Sequence, residues 1–297
     1  MNNKYKSGFT LVELLVAIAI FGLLFVIIIS ITTSMSESSQ NINSRSLLTQ
    51  EGQNIQRLLA GRISEAVYIY PAGTSLNLGS GDTTRNTISG GNSWTVNRDP
   101  FIAMILPPRS PGGDCTTGGD QTGCYRFYAY YAMHRKVLAN SSLADSTKPP
   151  KDPINDDSWV LMQYNANLVG WTPSYTQPSD GVTNPPSVPA NSNGRGILLV
   201  DYVQPQTNDN GANDLFPKTG TAPKDCLVFC VVKTPTKDPA KTPQKANDGI
   251  VEVRFRMQQK LRGQNDIIVN GTDPINPTSG NNSYIGGVTS PRNWWMP

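Results

Sequence analysis

The sequence predicts an α+β protein in which a long N-terminal helix packs on an antiparallel β-sheet with long loops. An apolar run near the N-terminus continues into an amphipathic pattern, which predicts the helix. Six later segments have strand character and are separated by stretches rich in Pro, Gly, Asn, Ser and Thr, which predicts the sheet. With 297 residues, the chain is long enough to bury a substantial core.

The composition excludes several functional classes. The formal net charge is +3 and only 16% of residues are charged, which argues against a general nucleic-acid coat protein. A single histidine, His134, excludes a metal site with two His ligands and a His–His acid–base pair. The chain has no GxSxG, HExxH or Walker lysine motif, so we expect neither an enzyme nor a cofactor, and a membrane-anchored enzyme is the least favoured hypothesis.

The N-terminal helix begins with a membrane-length apolar run. Residues 9–31 contain only Thr10, Glu13 and Ser30 as polar interruptions. At the rise of an α-helix this run is about 35 Å long, enough to cross a hydrocarbon core of about 30 Å. Lys4 and Lys6 precede the run, and the positive-inside rule therefore places the N-terminus in the cytoplasm and the head outside it. The alternative, a secretory signal peptide, has a shorter apolar stretch and a small-residue cleavage site after it.

Glu13 is the anomaly of this run. A carboxylate inside a membrane span costs about 2.5–3.5 kcal/mol on insertion scales, and an intramembrane acid is a functional candidate by default. No basic residue on the same helix lies within reach of Glu13. If the chain were cut after Gly8, the free α-amino group of Phe9 would pair with Glu13 of a neighbouring copy. The alternative is that Glu13 snorkels to the cytoplasmic headgroups.

The segment from Gly8 to Ile20, GFTLVELLVAIAI, resembles the prepilin signature of type IV pilins and of the pseudopilins of type II secretion. The resemblance implies that a prepilin peptidase cuts between Gly8 and Phe9 and N-methylates Phe9. It also implies that Glu13 helps the subunit to dock into a growing filament. Ser30 departs from the pattern, because major pilins often carry a helix-kinking proline at that position. The resemblance covers residues 5–35 directly and has weaker support to residue 70.

The resemblance also implies partners and a location. The partners are other pilins or pseudopilins through the N-terminal helix, the prepilin peptidase, the inner-membrane assembly platform, and membrane lipid before assembly. The expected location is the bacterial inner membrane, as a single-pass protein, and then a pilus or pseudopilus. The large, loop-rich head is more like the W/J-type minor subunits at or near a filament tip than like a major pilin.

A pilus-tip binding module, either an adhesin or a DNA-uptake receptor, is the alternative function. Its feature would be Lys and Arg side chains interleaved with aromatic residues on one face of the head. The best candidate is the run from Tyr125 to Lys136, which contains Arg126 and Arg135. The other interpretation of this run is an ordinary aromatic core strand, and nucleic acid is an unsupported partner.

The apolar pattern predicts that the helix extends from Phe9 to Tyr68. Steps of three and four residues define one apolar face, which is expected to cover the sheet. Ser34 to Asn43 is then an exposed neck between the two halves of the helix. The predicted organisation is a leader at 1–8, a membrane or filament-core helix at 9–31, the second half of the helix at 32–70 and a β-rich head at 71–297. The apolar face consists of Ile42, Leu48, Ile55, Leu58, Leu59, Ile63, Ala66 and Val67.

The head is predicted to be an antiparallel sheet with one solvated face. The segment from Ile250 to Met257 alternates cleanly, with Val251, Val253 and Phe255 on one face. The six predicted strands are 101–106, 125–138, 159–164, 196–203, 227–233 and 250–257. The predicted loops are 73–98, 145–157, 170–194, 204–224 and 234–248. The tail at 265–297 is also predicted as a loop, and it ends in Trp294 and Trp295, which form a contact patch or fold back onto the head.

Four cysteines allow three disulfide pairings. Cys115 and Cys124 flank a flexible, glycine-containing loop and are the favoured pair. Cys226 and Cys230 would lie about 13 Å apart on one extended strand, too far for a disulfide. That segment therefore bends, one of the two pairs elsewhere, or both stay buried and reduced. The spacings C-x8-C and C-x3-C are not typical of a zinc site.

Two acidic clusters are weak calcium candidates. Asp209 and Asp214 lie with Asn208 and Asn210 around a glycine, but the spacing matches no EF-hand and lacks the closing glutamate. A solvated turn is the favoured interpretation. The same interpretation is favoured for the acidic group of Asp152, Asp156 and Asp157.

Overall fold

The computed structural model describes residues 10–79, 81–144, 147–174, 182–186, 195–204, 228–233, 249–269 and 285–289. A long N-terminal helix and a curled antiparallel sheet confirm the predicted α+β class. The chain divides into two compact units, residues 1–46 and 47–297. The helices are α1 (Leu11–Glu65) and α2 (Arg135–Ala139). The strands are β1 (Tyr68–Ile69), β2 (Ser75–Asn77), β3 (Ser93–Thr95), β4 (Phe101–Leu106), β5 (Tyr125–His134), β6 (Trp159–Leu168), β7 (Arg195–Gln204), β8 (Phe229–Lys233), β9 (Gly249–Gln259), β10 (Ile267–Val269) and β11 (Ile285–Thr289).

Helix α1 ends at Glu65, three residues before the predicted end at Tyr68. The chain leaves the helix because it joins the sheet at once: the amide of Val67 donates to the carbonyl of Ile105 at 2.9 Å. Tyr68 then pairs with Ile105 in the register between β1 and β4. Edge pairing with β4 therefore takes the residues that the apolar pattern alone assigned to the helix.

Within the second unit, α1 has one buried stripe. Ile55, Leu59 and Ile63 are buried as predicted, and Leu48 extends the stripe towards the N-terminus. Gly52 is also buried, on the same stripe. Leu58 was assigned to this face but is 36% exposed, because it lies one residue away from Leu59 and points about 100° around the helix axis. In the first unit, Ile42 is 66% exposed and does not continue the stripe.

The main sheet is antiparallel throughout, in the order β1-β4-β5-β6-β7-β9-β10, and both β8 and β11 pair with β9. Strands β5 and β6 pair along their whole length, from Tyr125 opposite Leu168 to His134 opposite Trp159. All six predicted strands are present. The strand predicted at 125–138 is shorter than expected: β5 ends at His134, because the chain turns there into α2. The predicted loop at 265–297 is wrong in part, because it contains β10 and β11.

Strands β4 and β5 are buried on both faces, so the prediction of one solvated face is wrong for the centre of the sheet. On one face the guanidinium of Arg62 in α1 lies 5.2 Å from the ring centre of Tyr128. On the opposite face the indole of Trp94 in β3 packs on Phe101 and Tyr131, with ring centres 5.9 and 4.7 Å apart. Strands β2 and β3 form a two-stranded sheet within residues 73–98, which were predicted as a loop. This small sheet supplies the second cover.

Candidate functional site

Among the described residues, the most exposed apolar surface is the first part of α1. The large apolar side chains between residues 11 and 31 are exposed by 45% at Ile27 to 76% at Leu11, on every side of the helix. By length and composition, α1 is the one helix in the described part of the chain that could cross a membrane. An apolar patch of this extent marks a site of contact with lipid or with another protein. The surface therefore needs a partner outside its own unit.

Glu13 is held at the start of this helix by Thr10. The backbone amide and the hydroxyl of Thr10 both donate to Oε2 of Glu13, each at 2.9 Å. The amide of Glu13 in turn lies 3.3 Å from the Thr10 hydroxyl oxygen and donates to it. This reciprocal arrangement is a capping box, which satisfies two backbone donors that a helix N-terminus otherwise leaves unpaired. Thr10 thus fixes where the carboxylate sits at the entrance of the apolar run.

Thr10 is a site residue that the sequence patterns did not predict, although a signal for it exists. A threonine three residues before a glutamate, ahead of an apolar run, is the signature of a capping box. Both hydrogen bonds that Thr10 donates to Glu13 end on Oε2, and an ionised carboxylate has about four acceptor positions. Glu13 therefore keeps acceptor capacity for a second donor. Gly8 and Phe9, the predicted cleavage and methylation positions, lie outside the described residues.

The disulfide between Cys115 and Cys124 is present in the structure, as predicted, with their Cα atoms 4.7 Å apart. It closes an exposed loop just before β5. Within this loop, Asp114 accepts hydrogen bonds from the amide and hydroxyl of Thr116, which shapes a turn. Cys226 lies outside the described residues, and Cys230 lies in β8 opposite Glu252 of β9. Disulfides persist in oxidising compartments, so this bond is compatible with a head outside the cytoplasm.

The run from Tyr125 to Lys136, the candidate surface for the alternative function, does not form a nucleic-acid surface. Phe127, Tyr130 and Tyr131 have no exposed surface, and Arg126 is only 9% exposed because its Nε donates to the carbonyl of Pro107 at 3.0 Å. Stacking on bases requires exposed rings. Residues Tyr125–His134 of the run are β5, an interior strand of the sheet that is covered on both faces, so the interpretation as a core strand is correct for this part of the run.

Arg135 follows β5 directly and is fully buried. Its Nε donates to the carboxylate of Asp201 in β7, at 2.9 Å to Oδ1 and 3.2 Å to Oδ2. Nη1 donates to the carbonyl of Asp152 at 3.2 Å and lies 3.5 Å from Oδ1 of Asp156, while Nη2 donates to the carbonyl of Pro150. A buried guanidinium is tolerated only when its donors are paired in this way. We call Arg135, Asp201, Asp152 and Asp156 the arginine cluster.

Tyr202 completes this cluster. Its ring centre lies 5.4 Å from the guanidinium of Arg135, and its hydroxyl donates to Oδ2 of Asp152 at 3.1 Å. Its φ of 59° is in the left-handed region, which is a costly conformation for a large side chain. Burial raises the pKa of Asp201, an effect that the nearby Arg135 partly offsets. Burial and the charge of Asp201 raise the pKa of Glu51 in α1.

The predicted solvated turn at Asp152, Asp156 and Asp157 is wrong for two of these residues and correct for the third. Asp152 and Asp156 are not in a solvated turn, because they accept hydrogen bonds from Tyr202 and Arg135, respectively. The side chain of Asp157 is 89% exposed, as expected for a solvated turn. The acceptors of this cluster are turned towards a guanidinium. Its chemistry is therefore that of an internal ion pair that holds the loop at residues 150–157 against β7.

His134 packs on Trp159, with ring centres 3.7 Å apart. Burial lowers the pKa of His134, although the charge of Asp157 opposes this effect. Within the described residues, no group of three or more His, Cys, Asp or Glu side chains could hold a metal ion. The weak calcium candidates Asp209 and Asp214, and also Trp294 and Trp295, lie outside those residues.

Residues 3–29 match a family model described as the prokaryotic N-terminal methylation motif. This stretch includes Thr10, Glu13 and most of the exposed apolar surface of α1. No curated protein and no solved structure matches the chain.

Proposed function

We propose that this chain, which carries the type IV pilin and pseudopilin signature at residues 3–29, is a minor pilin or pseudopilin without catalytic activity. A prepilin peptidase cuts it after Gly8 and methylates the new N-terminal Phe9. The helix then enters a type IV pilus or a type II secretion pseudopilus. The observation that carries this proposal is the apolar run at residues 11–31 of α1, which is exposed on all sides and whose single carboxylate, Glu13, is held at its entrance.

The exposure of α1 supports two successive environments. Before assembly, the apolar run at residues 11–31 lies in the inner membrane, with Lys4 and Lys6 on the cytoplasmic side and the head outside. In the filament, the same surface packs against the corresponding helices of neighbouring subunits. Helices in lipid associate through close packing and polar contacts rather than through the hydrophobic effect, so exchanging lipid for neighbouring helices is a small step in free energy.

Glu13 favours the filament over the membrane in this exchange. Cleavage after Gly8 creates an ammonium group on Phe9, next to Thr10. In an apolar filament core, this cation and the Glu13 carboxylate of a neighbouring subunit attract each other far more strongly than in water. The capping box supports the pairing, because it keeps Glu13 near the helix entrance and leaves acceptor positions open. An unprocessed chain has no such ammonium group at this position.

The head supports a minor role near the filament tip, as in W/J-type subunits. Residues 47–297 form one large unit with an exposed, disulfide-closed loop, which would crowd a filament made of many copies. The partners are then related pilins or pseudopilins, the prepilin peptidase and the inner-membrane assembly platform. The alternative of a DNA-uptake receptor loses its candidate surface, because Tyr125–His134 is a core strand and Arg135 is buried.

The proposed function is tested by replacing Glu13. In Glu13→Ala, we expect normal cleavage after Gly8 and roughly tenfold less incorporation into filaments, a loss equivalent to about 1.4 kcal/mol. Ser30→Ala is the matched control, because it removes another polar group from the same run and should leave incorporation unchanged. Gly8→Leu should block cleavage and leave a full-length membrane protein. Normal incorporation of Glu13→Ala would contradict the assembly role of this carboxylate.

A further inference from the structure

Residues 32–46, which we call the polar segment, connect the apolar run of α1 to its buried stripe. In the described structure none of the fifteen is buried: Asn41 and Ser44 are half-buried, and the others are exposed. Ten of the fifteen are Ser, Thr or Asn. The polar segment therefore has neither the apolar surface of residues 11–31 nor the packing of residues 48–63.

The composition of the polar segment disfavours a helix in water. Ser, Thr and Asn are poor helix formers because their side chains hydrogen-bond to the nearby backbone or lose rotamer freedom. At its start, the hydroxyl of Thr33 donates to the carbonyls of Ile29 and Ser30, both at 3.0 Å. Such back-bonding slightly destabilises and often bends a helix. The charged residues Glu37 and Arg45 are eight positions apart, so they do not form the i, i+4 pair that would offset these costs.

The helical segments on both sides of the polar segment do not remove the cost of keeping it helical. The flanking helices supply the nucleus, so each residue of the polar segment needs only to propagate an existing helix. Propagation in water is weakly favourable for good helix formers and unfavourable for most residues of this segment. In residues 48–63, by contrast, five buried residues, one of them Gly52, hold the helix through packing. The polar segment has no such support within its own unit.

We propose that the polar segment is a conditional helix, which frays in the single membrane-inserted subunit and becomes continuously helical when helices of neighbouring subunits surround it. The second half of this inference rests on the proposed function. Ordering the segment then consumes part of the free energy of assembly, as in other segments that fold on binding. Incorporation becomes sensitive to how many neighbours cover residues 32–46.

Hydrogen–deuterium exchange on the full-length chain in detergent micelles tests the first half. We expect amide protection in residues 32–46 to be at least about tenfold lower than in residues 52–63, because local opening sets the exchange rate. Equal protection in the two segments would overturn the proposal. The comparison is internal, since both segments belong to α1.

Substitutions separate helix propensity from other causes of exchange. Replacing Ser36, Ser38, Ser39 and Ser44 together with alanine should raise protection in the polar segment about tenfold, because alanine is the best helix former. Protection in residues 52–63 should not change. Replacing the same four serines with glycine is the matched control and should not raise protection. Unchanged protection in the alanine variant would overturn the explanation by propensity.

Exchange on assembled filaments tests the second half. We expect protection in residues 32–46 to rise to the level of residues 52–63 once the subunit is incorporated. Rapid exchange of the polar segment inside a filament would overturn the ordering on assembly. A chain that enters no filament contradicts the proposed function and the second half with it, whereas the micelle measurement decides the first half alone.

Discussion

The two apolar parts of α1 follow different rules although they belong to one helix. Residues 11–31 are apolar around the whole circumference and are exposed. Residues 48–63 are apolar along one stripe, and that stripe is buried within the head unit. A stripe is enough to cover one sheet face, whereas an apolar circumference needs apolar surroundings on every side. The stripe therefore stabilises its own head, while the apolar run serves contacts outside the chain.

Substitutions in the two parts of α1 should have different effects in stability measurements. Substitutions in the head unit should change the free energy of unfolding, and substitutions in the apolar run should change membrane retention or assembly instead. Both kinds of substitution are compared in the full-length chain in detergent micelles. Unfolding by urea is followed by the fluorescence of the buried indoles of Trp94 and Trp159.

The largest effect is expected at Arg135. Arg135→Met leaves Asp201 as a buried carboxylate without its cation, and we expect a loss of about 3–5 kcal/mol in the free energy of unfolding. Lys136→Met is the matched control, because the neighbouring Lys136 is exposed and should change stability little. Equal effects of the two substitutions would show that the arginine cluster does not hold the head together.

The next effect compares the two parts of α1 directly. Leu59 is fully buried, and Leu59→Ala should cost about 2–5 kcal/mol through lost burial and a cavity. Leu24 is 52% exposed in the apolar run, and Leu24→Ala should leave the urea midpoint unchanged. If Leu24→Ala destabilised the head as much as Leu59→Ala, the apolar run would be part of the head's own core.

A smaller effect is expected at Gly196 in β7. A Cβ atom there would meet the hydroxyl of Tyr131 and lie 2.6 Å from the carbonyl oxygen of Thr83. The Tyr131 hydroxyl donates a hydrogen bond of 2.6 Å to this carbonyl oxygen. Moving either group away from the Cβ atom would therefore disturb the bond. Gly196→Ala should therefore cost about 1–3 kcal/mol.

Gly61 provides the control of opposite sign. A Cβ atom at this exposed position of α1 meets nothing within 4 Å. Gly61→Ala should raise the free energy of unfolding by up to about 1 kcal/mol, because alanine is the better helix former. A loss of stability in both variants would contradict the close approach inferred at Gly196.

The smallest effect concerns Glu51 and pH. Burial and the charge of Asp201 raise the pKa of Glu51 in the folded protein. The folded state thus binds the proton more tightly than the unfolded state, so this carboxylate lowers stability at neutral pH and the loss is recovered as pH falls. Glu51→Gln should raise the urea midpoint at pH 7, and the difference should disappear below the usual pKa of glutamate. Glu37→Gln, on the exposed polar segment, should leave the midpoint unchanged at both pH values.

Local patterns in the sequence predicted most of the fold. The spacing of Ile55, Leu59 and Ile63 revealed the buried stripe because helix periodicity is a property of neighbouring residues. The Cys115–Cys124 pairing also followed from a short, flexible loop. At the candidate site, Glu13 was identified from its cost in an apolar run, and Thr10 would have been found from the capping-box spacing.

The features that sequence patterns missed depend on contacts between distant residues. Arg135 looked like part of a basic surface, because its partner Asp201 lies 66 residues further along the chain. The second cover of the sheet was missed because β2 and β3 have three residues each, too few to show alternation. Trp94 was therefore assigned to a loop, although it packs against Phe101 and Tyr131.

Mass spectrometry of the N-terminus of the native protein, purified from cells that assemble filaments, is the most direct test of the proposed processing. We expect a mature chain that begins at Phe9, carries one methyl group on its α-amino nitrogen and lacks residues 1–8. Only this product has the ammonium group that is proposed to pair with Glu13 of a neighbour. A native chain that still begins at Met1, or one cut within or beyond the apolar run, would contradict the proposed processing and the pairing that depends on it.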